Sequence, residues 1–149
     1  MLSKLITWFE DVTSQADNTK PEHKVELAIA VLLYEIMRAD GQFGTEEKQV
    51  YHRLLTEHFS LDAQELVSLT TLTEDQVEKA TDFSQFTRVI NDVCDAQEKR
   101  KILDGLWHLA YADDTLDPEE EYLIRKIADL LYIPHSQFIQ SKLAASSHL

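Results

Sequence analysis

Apolar residues recur at three- and four-residue intervals along most of the chain, the spacing of one face of an α-helix. Leu2, Leu5, Ile6, Phe9 and Val12 form such a stripe over about residues 2–16, with Trp8 beside it. Asp17-Asn18-Thr19-Lys20 reads as a linker, and Pro21 suits the first turn of the next helix, where a missing N–H costs nothing. That helix is expected to run to about Ala39, with Val25, Leu32 and Ile36 on a broad apolar face, and to end at Asp40-Gly41. Gly44 or Thr45 caps a third helix over about Glu46 to His58, which buries Val50, Tyr51, Leu54 and Leu55. Ser60 is expected to cap a short helix with Leu61 and Leu66 inward, and Thr73-Glu74-Asp75-Gln76 has the capping-box pattern for a second short one.

Stronger start signals follow. Asp82 precedes a helix over about Phe83 to Val93, and Asp95-Ala96-Gln97-Glu98 is a capping box opening a helix that ends near Ala112. Asp117-Pro118-Glu119-Glu120 combines a cap, a proline at the first helical position and acids facing the positive end of the helix dipole. Leu123, Ile124, Ile127 and Leu130 line that helix. Pro134 opens the last one, and the end from Ala144 to Leu149 is expected to fray. Alternating apolar and polar residues are not evident in any segment. The fold class is therefore all-α: a single-domain bundle of about seven to eight helices, with no sheet larger than a bridge between the Phe43 and Leu116 loops. Residues 1–20 are an N-terminal amphipathic helix and linker, and residues 21–149 are the bundle.

The pattern also repeats. An offset of 73 residues places Tyr34 opposite Trp107, Ile36 opposite Leu109, Ala39 opposite Ala112 and Asp40 opposite Asp113. The same offset pairs Glu46 with Glu119, Glu47 with Glu120, Val50 with Leu123 and Leu54 with Ile127. With one residue deleted, Leu61 and Leu66 meet Ile133 and Phe138. Each half is a helix, a tight acidic loop, a helix and a short helix. One such unit cannot bury its apolar face alone, so the halves are expected to share a core.

The two loops, Ala39-Asp40-Gly41-Gln42-Phe43-Gly44-Thr45-Glu46-Glu47 and Ala112-Asp113-Asp114-Thr115-Leu116-Asp117-Pro118-Glu119-Glu120, resemble the two signature loops of the TerB-like family. Leu109-Ala110-Tyr111-Ala112-Asp113, followed by Pro118-Glu119-Glu120, is the closest stretch. The likeness covers about Pro21 to Leu143. It implies a helical bundle, an association with tellurite resistance and chemical stress, and a metal-binding role; the family is not known for catalysis. This chain departs from the pattern at Asp114, where the first half has Gly41, and at Gly44, where the second has Asp117, so the loops are expected to be unequal.

Charge and composition narrow the chemistry. The 149 residues carry a formal net charge of −13, which repels phosphate backbones and argues against a nucleic-acid partner. Only three glycines and three prolines are present, too few for a many-stranded fold. The single cysteine, Cys94, forms no internal disulfide or cysteine-rich zinc site, and a cytoplasmic location fits it. Every apolar run falls short of the roughly 20 residues needed to span a bilayer, so no integral membrane segment is expected. Neither HExxH, GxSxG, a Walker loop nor GxGxxG occurs, and no catalytic residue is assigned.

The acidic loops are the candidate site. Glu46, Glu47, Glu119 and Glu120 sit where the helix dipole favours negative charge, by about 0.3–1 kcal/mol each. Asp40 and Asp113 fall at helix C-termini, where the dipole disfavours an anion. Two readings answer that cost. The aspartates bond backbone N–H groups across the loop, or they hold a cation together with the following glutamate. In the second reading Asp40, Glu47, Asp113 and Glu120 are the metal residues, and hard oxygen ligands point to calcium, magnesium or manganese. Asp40 to Glu47 spans eight positions, so the site is not a 12-residue EF-hand loop.

Three functional classes follow. A non-enzymatic TerB-like module would bind a cation or a protein partner in a stress response. A metal-free interaction scaffold would use a groove between the halves. An enzyme would need carboxylates paired across the loops, with no nucleophile in view. The N-terminal stripe adds three options: packing on its own bundle, pairing with a partner or sister chain as a homodimer, or lying on a membrane. The last is disfavoured, because Lys4 faces Glu10, Asp11 and Asp17 where a membrane-surface helix carries a basic face.

Overall fold

The computed structural model describes residues 21–39, 44–59, 61–79, 82–112 and 116–146. Among them seven helices and no strand are present: α1 (Pro21–Arg38), α2 (Thr45–Phe59), α3 (Ala63–Lys79), α4 (Ser84–Val93), α5 (Ala96–Ala110), α6 (Pro118–Leu130) and α7 (His135–Ser146). The stripe at residues 2–16, the Ser60 cap and a bridge at Phe43 lie outside the described residues.

α1 is the axis of the bundle, in contact with α2, α3, α4, α5 and α6. Its sequence explains this. Leu27 through Leu33 are seven consecutive buried residues, followed by Ile36 and Met37, so the helix is apolar around much of its circumference and needs neighbours on several sides. α5 is its counterpart in the second half. It buries Ile102, Leu103, Leu106, Trp107 and Leu109, and packs on α1, α2, α6 and α7. The halves α1–α2–α3 and α5–α6–α7 thus share one core, joined by α4. Asn91 on α4 donates from Nδ2 to the Leu130 carbonyl at 2.9 Å, tying the connector to the C-terminal end of α6.

Local caps set the helix starts. At α5, Asp95 accepts from the Glu98 N–H and Glu98 accepts from the Asp95 N–H, at 2.8 and 3.1 Å. At α6, Asp117 accepts from the Glu119 N–H at 2.8 Å, with Pro118 in the first turn. Asp82 accepts from both the N–H and the hydroxyl of Ser84.

Two expectations fail. The two short helices expected after Ser60 and at Thr73 are one, α3, and Thr73 starts nothing: it is buried mid-helix and its hydroxyl donates to the Leu69 carbonyl at 2.7 Å. The helix opens instead at Asp62, whose side chain accepts from the Glu65 N–H while Glu65 accepts from the Asp62 N–H. Fraying from Ala144 is also corrected. α7 continues to Ser146 because Ala145 is buried against the bundle.

α6 ends by a tight reversal. Tyr132 has φ 58°, the Ile133 N–H reaches back to the Ala128 carbonyl at 3.0 Å and the Tyr132 N–H to Asp129 at 3.1 Å. This is a Schellman stop with tyrosine where glycine is usual. The reversal turns α7 onto α5, and Lys142 of α7 meets Glu121 of α6. Among the described residues no helix is long and apolar enough to cross a membrane.

Candidate functional site: two buried loop glutamates

Each acidic loop delivers a glutamate as the third residue of the following helix, and helical register turns it inward. Glu47 on α2 is 4 % exposed and Glu120 on α6 is 2 % exposed, whereas Glu46 and Glu119 beside them face solvent. A dipole contribution needs no burial, because an exposed first-turn acid already gains it. Moving a carboxylate out of water is costly unless positive charge or N–H donors meet it. The same position is buried in both repeats, so packing as well as the dipole acts on these two glutamates.

The two loops achieve this differently. In the first, Gly44 offers no side-chain cap, and a Cβ built there would lie 3.8 Å from both Glu46 Oε2 and Glu47 Oε1. Both carboxylates thus lean back over the loop side of α2. In the second, Asp117 occupies the equivalent place and its carboxylate accepts from the Glu119 N–H. The unequal loops expected from Gly44 and Asp117 differ in how they cap.

Asp40 and Asp113 lie outside the described residues. Among the described residues the structure gathers no three His, Cys, Asp or Glu side chains in ion-holding geometry. It does bring the ends of the two loops together. Ala39, the residue before Asp40, shares a depression of about 440 Å3 with Pro118, Glu119, Tyr122 and Leu123.

Other sequence candidates resolve into structure. Trp107 is fully buried, 5.2 Å from Phe138, and Tyr111 stacks beside it. Tyr51 is buried edge-on to Tyr34, and burial pushes its hydroxyl well above the usual tyrosine range. Cys94 is half-buried; burial, with Glu98 and Asp95 nearby, raises its thiol pKa. His108 is exposed at the edge of α5. His58 stands at the mouth of a crevice of about 40 Å3 between the halves, lined by Ile29, Leu33, Leu54, Leu55, Lys101, Ile102 and Gly105. Burial and the Lys101 charge lower its pKa.

The sequence reading missed one feature. α6 and α7 enclose a groove of about 380 Å3 formed by Tyr122, Arg125, His135, Ile139 and Lys142 with their neighbours. Its residues sit at positions that read as solvated helix faces, and only the reversal at Tyr132 sets the faces opposite each other.

Comparison with protein families matches residues 26–143 to the tellurite resistance protein TerB. Searches of curated proteins and of solved structures give no match. The match covers both acidic loops and every helix from α2 to α6, so the chain belongs to the TerB family.

Proposed function

We propose that this chain is a non-enzymatic TerB-like module that binds a divalent cation through its duplicated acidic loops, within a tellurite or chemical stress response in the cytoplasm. The proposed ligands are Asp40, Glu47, Asp113 and Glu120. The observation that carries the reading is the burial of Glu47 and Glu120 at equivalent places in the two repeats. The depression that Ala39 shares with Pro118 and Glu119 supports it, because Ala39 precedes Asp40 in the chain and Glu119 precedes Glu120. Carboxylate oxygens favour calcium, magnesium or manganese over zinc or copper.

Calorimetry of the full chain with calcium, magnesium, manganese and zinc tests the proposal. Binding of a hard cation is expected, weakened by Asp40→Ala, Asp113→Ala, Glu47→Gln and Glu120→Gln. Absence of heat at about millimolar ion, the range of the weakest protein calcium sites, overturns it.

The alternative is a metal-free interaction scaffold. The crevice between the halves, at about 40 Å3, takes a single side chain at most, which makes it a poor seat for a partner. The larger groove lies within the second half, between α6 and α7.

A further inference from the structure

The groove between α6 and α7 is built unlike the rest of this surface. The chain carries 27 acidic and 14 basic residues, yet here Arg125, His135 and Lys142 converge on one depression, with Glu121 as the acid among them. Two of these side chains have local roles. Lys142 pairs with Glu121 and lies 5.9 Å from the Trp107 ring, and the His135 ring stacks on Phe138 at 5.5 Å. Arg125 makes no ion pair among the described residues and stands exposed at the rim.

Apolar surface is exposed there too. Tyr122 is 69 % and Ile139 37 % exposed, on facing helices, and Leu143 extends the Ile139 stripe by one turn. An exposed tyrosine and a free arginine beside an aliphatic wall are the residue types on which protein interfaces concentrate their binding energy. Nothing in the folding of α6 or α7 requires them: α6 already buries Ile124, Ile127 and Ala128, and α7 buries Phe138, Ser141 and Ala145.

We propose that this groove docks a short acidic peptide segment of a partner protein, with an apolar side chain between Tyr122 and Ile139 and a carboxylate on Arg125. Charge complementarity selects that occupant. A basic segment would meet Arg125 and Lys142 and would be drawn instead to the acidic remainder of the surface. Polyphosphate chains and anionic lipid surfaces are repelled by a chain at −13, whereas one or two carboxylates flanking an apolar anchor are not. The guanidinium fork suits a carboxylate in bidentate geometry. This inference is independent of the acidic loops and stands whether or not they bind an ion.

The test uses the amidated hexapeptide Ser-Glu-Leu-Phe-Asp-Ser with an N-terminal rhodamine label, titrated with the full chain and read by fluorescence anisotropy. Net charge alone predicts repulsion, so saturable binding in roughly the 10–300 μM range supports the groove. Arg125→Glu is expected to weaken binding about tenfold or more, as loss of a bidentate carboxylate contact does. Ile139→Asp should do the same through the apolar wall, and a hexapeptide with Ser for Leu and Phe should not bind. Both substitutions are at exposed positions, and circular dichroism verifies the fold; if one variant misfolds, the other decides. No anisotropy change at about 1 mM chain overturns the proposal, as does unchanged affinity in a folded variant. Displacement of the probe by a peptide of residues 1–17 overturns it in favour of the chain's own N-terminal segment. Equal displacement by millimolar acetate reduces the groove to a simple anion site and also overturns it.

Discussion

Gly105 lies in the interior of α5, where glycine is unfavourable relative to alanine by about 1 kcal/mol through backbone entropy and lost side-chain contact. The structure does not use its missing side chain for close approach. A Cβ built there would meet Leu54 Cδ1 and Cδ2 at 3.9 Å, ordinary van der Waals distance, at the wall of the crevice between the halves. Gly105→Ala should therefore recover most of the helix term and add a fraction of the roughly 0.8 kcal/mol expected for a buried carbon. The sum is a stabilisation of about 1 kcal/mol, or about 2–4 °C in melting temperature for a chain of this size. Thermal and urea unfolding followed by far-ultraviolet circular dichroism measure it. Gly105→Leu should reverse the sign, because a crevice of about 40 Å3 cannot hold an isobutyl group without displacing Leu54. A loss of stability in Gly105→Ala would refute the reasoning. It would mean that α2 and α5 approach more closely than the Leu54 distances indicate.

Tyr132 holds a left-handed backbone at the end of α6, which costs a residue with a Cβ about 1–2 kcal/mol. Tyr132→Gly should raise stability by about 0.5–1 kcal/mol, after losing the exposed Lys99 contact over its ring, as urea unfolding will show. Asp82 has its pKa held below the ordinary 3.8 by the hydroxyl and N–H of Ser84. A depressed carboxylate contributes stability above its unfolded pKa and loses it as pH falls through the folded one. Acid titration of stability should therefore show a drop below about pH 4 that is shallower in Asp82→Ala.

Most of the helix plan is present in local residues because caps are local chemistry. Asp95 with Glu98 and Asp117 with Pro118 each specify a helix start within four residues, and the bundle obeys them. Thr73-Glu74-Asp75-Gln76 shows where that logic fails. The same side-chain pattern is compatible with a helix that simply continues, and burial of Leu69, Leu72 and Val77 along one face keeps α3 unbroken through it. Thr73 then turns its hydroxyl to the carbonyl one turn back rather than to an N–H ahead. The Asp62 and Glu65 pair carries the same kind of signal and does open a helix. Local pattern proposes a start, and the apolar stripe on either side decides it.

The acidic loops and the α6–α7 groove differ in legibility for a physical reason. Duplication made the loops visible: the same acids at an offset of 73 residues stand out in the sequence alone. Sequence does not show that Glu47 and Glu120 are buried while Glu46 and Glu119 are not, since all four satisfy the same dipole. That distinction comes from which face α2 and α6 turn into the bundle when they pack on α1 and α5. The groove belongs to the second half. Its cations arise from two helices joined by the left-handed turn at Tyr132, and each helix alone reads as an ordinary solvated face. In the first half the corresponding segment is the long helix α3, which carries the partly buried Leu66 where α7 has the buried Phe138. The repeat thus buries a glutamate at the same place in both halves, while the groove is built from α6 and α7 of the second.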